Sequence, residues 1–177
     1  MSVVSHPENV GLLALRVAVG VVFLAHGYNH IWGGGKIAGT ARWFSSLGME
    51  PGILHAWVAS LVELGAGALL IVGLLTPFAG GAVIGVMLVA WITNHRKNGF
   101  FIFRPGEGYE YVMTLTFCGI LFCCTGGGQI SLDHAAGIFE LGGMRWIDAG
   151  LALLAGFGGA AGLLVTCWRP NKVAGKS

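Results

Sequence analysis

Apolar residues run almost unbroken through five stretches of this chain, parted by shorter polar ones. The first runs from about Val10 to Ile31, enough for the ~20 helical residues that cross a hydrocarbon core. Pro7 and Glu8 suit a helix start, with Ser5 or Asn9 as candidate caps. Residues 32–52 are polar and glycine-rich. Within them Ile37, Trp43, Phe44 and Leu47 recur at helical spacing, which predicts an amphipathic helix in the membrane interface. A second run (about Ile53 to Leu75) and a third (about Phe78 to Thr93) are separated only by Thr76-Pro77, so they are expected to be antiparallel neighbours. Gly81 and Gly85 form a GxxxG pair that permits close helix contact. Residues 94–110 are the most polar stretch. A fourth run then spans about Tyr109 to Thr125 and ends at Gly126-Gly127-Gly128. A loop over 129–145, carrying Asp133, His134, Glu140 and Arg145, leads to a fifth run from Trp146 to Trp168, whose terminal tryptophans match the two aromatic belts of a bilayer. The tail RPNKVAGKS is basic and is expected to be disordered.

The pattern predicts an all-α membrane protein: a four-helix transmembrane bundle, a fifth C-terminal transmembrane helix, and an interfacial helix in the first loop. The whole chain, 1–177, reads as one polytopic domain. Composition sharpens this. The chain is 55% apolar and 10% charged, with a mean hydropathy of +0.75, too few charges to cover a water-facing surface. The net charge is +2, and the basic residues lie mostly at the ends of apolar runs, which reads as topology and contact with anionic lipid headgroups, not nucleic-acid binding. With five crossings, Lys36, Arg42, Arg96, Lys97, Arg104, Arg169, Lys172 and Lys176 fall on one side and Arg145 on the other. The positive-inside rule then places the C-terminus in the cytoplasm and the N-terminus outside. MSVVSHPENV has no basic region before the first apolar run, so that run is expected to stay as an anchor.

Ionisable groups within apolar runs are costly and mark sites. Arg16 lies roughly 9 Å into the first run and Glu63 roughly 15 Å into the second, so an antiparallel pair could join them as a buried ion pair. At the cytoplasmic edge His26, His30, Asn94, His95, Tyr109 and Glu110 can converge as a polar pocket. Such a pocket could relay protons to a quinone headgroup, since histidine titrates near neutral pH, or simply fasten loops to helices. Metal binding is disfavoured, because no ExxH spacing is present and the cysteines form no zinc-type spacing. No nucleotide-binding, GxSxG, HExxH or haem-attachment motif occurs. His55 and His134 read as interfacial, and Asp133 and His134 as caps of a short helix. Cys118, Cys123, Cys124 and Cys167 read as packing residues, with the vicinal Cys123-Cys124 pair open to thiol chemistry.

Several motifs, in order, resemble the DoxX-like membrane proteins: LRVAVGVVFLAHGYNHI, WFSSLGMEPG, VASLVELGAGALLIVGLLTPFAG, the NH…NGFF element, GYEYVMTLTF and GGGQISLDH. The resemblance covers about residues 11–135 and leaves the fifth run outside it. It implies a four-helix bundle loosely linked to redox proteins, such as the DoxD subunit of a thiosulfate:quinone oxidoreductase. It also implies that Arg16, His26, Glu63, His95 and Glu110 are functional residues. The fold alone does not fix a function. The leading expectation is a redox-associated membrane subunit that handles a quinone or a thiol-linked donor, with electrons supplied by a protein partner. The alternative is a non-enzymatic adaptor, or homo-oligomer, that stabilises a larger membrane complex. A transporter or lipid-handling protein ranks last, because no inverted repeat is visible.

Overall fold

The computed structural model describes residues 6–139 and 143–170, and these are helical or looped throughout. The helices are α1 (Pro7–Trp32), α2 (Lys36–Ser46), α3 (Gly52–Val72), α4 (Thr76–Ala90), α5 (Glu110–Thr125), α6 (Leu132–Ala135) and α7 (Trp146–Cys167). A π turn, Trp91–His95, continues α4. Ser5, Glu140 and the tail from Asn171 lie outside the described residues. Asn9, the other expected cap, sits inside α1, and its side chain bonds Gln129 instead.

Among the described residues, four helices are long and apolar enough to cross a membrane: α1, α3, α4 with its π turn, and α7. The sequence pattern put five runs on an equal footing, but α5 has 16 residues and is about 24 Å long, short of a ~30 Å core. Pro77 near the start of α4 and left-handed Gly73 at the end of α3 make the tight α3–α4 turn that Thr76-Pro77 predicts.

The helices meet through glycines. A Cβ on Gly20 would stand 2.8 Å from the carbonyl oxygen of Gly67, and one on Gly67 would stand 2.7 Å from that of Gly20. Gly80 and Gly119 make the same mutual contact between α4 and α5, at 2.7 and 2.8 Å. Both crossings are antiparallel. Gly81 faces Ala152 while Gly85 faces Gly156, so α7 runs parallel to α4. The GxxxG pair on α4 is therefore a docking strip for α7. Of the glycines on α7, Gly156 is packed, whereas Gly159 and Gly162 border open space. At the other end of α7 the Trp168 indole N–H donates to Leu47 O (2.9 Å) and Arg169 N–H donates to Gly48 O (2.7 Å), which ties this helix to the α2–α3 connection.

The Gly20–Gly67 crossing predicts a stability difference. Gly20→Ala should cost about 1–3 kcal/mol through overpacking against backbone. Gly65→Ala, where an added Cβ meets nothing within 4 Å, should be neutral or stabilising. Thermal unfolding of the two variants in detergent checks this; equal midpoints would refute the assigned crossing.

Candidate functional site

The register set by Gly20–Gly67 and by Gly27 against Ser60 decides which polar groups meet. It puts Arg16 beside Leu70 and Glu63 at the level of Leu24, eight residues or about 12 Å further along α1. Arg16 and Glu63 therefore do not form the expected pair. Arg16 is fully buried, and its guanidinium donates to the carbonyls of Leu70 (2.8 Å) and Ile130 (2.5 Å). These carbonyls belong to the end of α3 and to the loop after α5, so Arg16 works as a backbone clamp.

Asp133 lies in the same cluster and is also fully buried. Its Oδ1 accepts from Leu75 N–H (2.7 Å) and its Oδ2 from Thr76 N–H (2.9 Å). It therefore caps α4, a helix far away in sequence; the short α6 is capped by Ser131, whose hydroxyl accepts from His134 N–H. This end of the bundle is stitched to backbone by these contacts, with Arg16 Nε and Thr76 Oγ1 left buried and unpartnered.

The other end is not. Side chains tilt toward the N-terminus of their own helix, so on antiparallel α1 and α3 those of His30 and Glu63 lean toward each other. His30 Nδ1 stands 3.1 Å from Glu63 Oε2, with the side chains 17% and 6% exposed. The two atoms are close enough for an ion pair but are not aligned in a hydrogen bond. Phe44 of α2 packs edge-on to the His30 ring and also against His55. His55, expected at the interface, is buried at 4% exposure, and its Nε2 has no hydrogen-bond partner. Sequence reading missed it because its position at the start of an apolar run looks interfacial.

These groups line a cavity of about 900 Å³, within the usual range of ligand sites. His26, His30, His55, Glu63, Asn94 and His95 are among its polar positions, and α4 and α7 supply apolar walls. Exposed His26 stacks on Tyr111, with ring centroids 6.5 Å apart. His95 Nδ1 contacts the Glu107 carbonyl oxygen (2.9 Å), and Asn94 contacts His95 Nε2 (3.3 Å). Tyr109 and Glu110 have a different place. Tyr109 stacks on Trp91, and Glu110 accepts from Ile102 N–H (3.0 Å), so both brace the 96–109 loop and stand outside the cavity lining. Among the described residues, no three His, Cys, Asp or Glu side chains gather to hold a metal ion. The vicinal cysteines diverge: Cys123 is buried, with its thiol donating to Pro77 O (3.2 Å), while Cys124 is exposed.

Asp133→Ala should destabilise the protein by about 2 kcal/mol, since two helix-start N–H groups lose their acceptor, and Asp133→Asn should recover part of that. Thermal unfolding of both variants reads the difference. Equal losses from Ala and Asn would show that capping is not what Asp133 supplies.

Comparison with known proteins identifies a family. The DoxX family profile matches residues 11–96. A Bacillus subtilis (strain 168) protein named "Putative oxidoreductase CatD" is 32% identical over 124 residues, which are 70% of this chain and 85% of that one. "Inner membrane protein YqjF" of Escherichia coli (strain K12) is 29% identical over 130 residues, 72% of this chain and 92% of that one. No solved structure matches. The chain belongs to the DoxX family of membrane proteins.

Proposed function

We propose that this chain is a redox-associated membrane subunit that binds a quinone-type carrier in the cavity beside α4, with His30 and Glu63 holding and exchanging protons at its head. The observation that carries this reading is the pair itself: an imidazole nitrogen 3.1 Å from a carboxylate oxygen, almost buried, at the polar end of an otherwise apolar cavity. An imidazole beside a carboxylate is suited to passing protons near neutral pH. The unpartnered Nε2 of His55 offers a second polar contact on the same cavity. A flat ring bearing carbonyl oxygens fits apolar walls with a few polar points. A quinone, when bound, couples electron uptake to proton uptake; exposed His26, on the cavity lining, connects the site to the surface.

No electron-carrying cofactor motif stands in the sequence, so a protein partner supplies the electrons. The relative named a putative oxidoreductase supports a redox setting. The topology that goes with this reading has five crossings, α5 included, and α2 in the interface. The alternating directions of α1, α3, α4, α5 and α7 support it, and the excess of Lys and Arg on the His95 side supports a cytoplasmic C-terminus.

The test is a titration of the purified protein with decylubiquinone, read by quenching of tryptophan fluorescence; Trp43 lines the cavity. Glu63→Gln and His30→Ala should each weaken binding roughly tenfold or more, the loss expected for one charge-assisted hydrogen bond. His26→Ala, at the mouth, should weaken it less. If no quinone analogue binds the unmodified protein, the reading fails.

A further inference from the structure

The cavity is long, and its polarity changes along its length. On α4 and the π turn it is lined from Phe78 to Asn94, sixteen residues or about 24 Å. At one end stand His26, Asn29, His30, Asn94 and His95; at the other stand only Phe78, Gly81 and Ala82. The two long walls are α3 and α7, and each packs on α4 without packing face to face on the other. Val58 on α3 lines the cavity while 39% exposed, and Gly159 on α7 lines it with nothing within 4 Å of where a Cβ would stand. The cavity is thus a slot between two helices, open sideways where lipid would be.

From this we infer that the occupant is a tailed amphiphile drawn from the bilayer, its head at the His30–Glu63 end and its tail lying along α4 between α3 and α7. The inference deepens the reading above and rests on it for the identity of the head. Arg16 Nε and Thr76 Oγ1 also lack a partner but stand outside the cavity, whereas His30 Nδ1, His55 Nε2 and Glu63 Oε2, on its lining and without an aligned partner, mark where a head belongs. A bare ring would leave the Phe78 end empty. An apolar tail fills it, and it gains little by leaving lipid and loses little by returning, which suits a carrier that must come and go. The wall that makes the slot is α7, which lies beyond the family-matched residues 11–96. Ala155 is the key position. It lines the slot on α7 near the level of Ile84, and a larger side chain there leans toward the apolar end, away from His30 and Glu63.

The experiment compares Ala155→Phe with the unmodified protein and with Leu154→Phe, an adjacent, 67% exposed position outside the slot. The probes are decylubiquinone, the same ubiquinone headgroup without a tail, and n-decanol, each titrated by fluorescence quenching or thermal shift. The unmodified protein should prefer the decyl compound to the tailless one. Ala155→Phe should weaken the decyl compound by roughly tenfold or more, because the added ring occupies the space of the tail and overpacks the slot, and change the tailless one by less than about twofold. Leu154→Phe should change neither and also controls for folding. Equal affinity for tailed and tailless heads, or equal effects of Ala155→Phe on both, overturns the inference. If neither quinone binds but n-decanol does, the quinone reading fails on its own. The slot then stands when Ala155→Phe removes decanol binding, and falls when it does not.

Discussion

Everything in this fold hangs on how closely two backbones can approach without a side chain between them. Inside a bilayer a helix gains nothing by hiding leucine from lipid, so association depends on close packing and on polar contacts. Gly20 against Gly67 brings α1 and α3 together, and that single crossing sets the register of every polar group on both helices. Slide it by two turns and Arg16 would meet Glu63; in the register observed, Arg16 meets the end of α3 and Glu63 meets His30.

The two ends of the bundle use their polar groups differently, although Arg16 Nε and Thr76 Oγ1 stay unpartnered at the first. At the Arg16 end, side chains are spent on backbone: guanidinium on two carbonyls, carboxylate on two amides, Asn9 on Gln129. Such an arrangement locks loops that would otherwise present bare peptide groups to an apolar setting. At the His30 end, His55 Nε2 and the facing atoms of the His30–Glu63 pair have no aligned protein partner. Similar residue types therefore do structural work at one end and stand available at the other.

Much of this was legible in the sequence, and the reasons for the misses are physical. The apolar runs of α1, α3, α4 and α7 stand out because length and hydropathy are properties of a single segment. His30 and Glu63 were both visible as costly ionisable groups, but their partnership was not, because depth along a helix says nothing about register. Tyr109 and Glu110 looked like pocket residues by proximity to Asn94 and His95, yet they brace the following loop, which folds back so that Gly108 N–H reaches Phe101 O (3.1 Å). Asp133 looked like a local cap because capping patterns are read over a few residues, whereas the helix it caps begins 57 residues earlier.

The π turn at Trp91–His95 has a wider meaning than its five residues suggest. Such a turn carries one residue more than an α-turn before the chain closes on itself, with Arg96 N–H reaching Trp91 O (2.8 Å). It acts as a phase shifter: every side chain after it is rotated by about 100° relative to a straight α-helix. Asn94 and His95, at the end of the turn itself, line the cavity, while the glycine strip earlier on α4 faces α7. One helix can thereby serve two masters, holding a neighbour with one azimuth and facing a ligand with another. An insertion or deletion of a single residue here would be silent in hydropathy and would change the heading of the chain that follows.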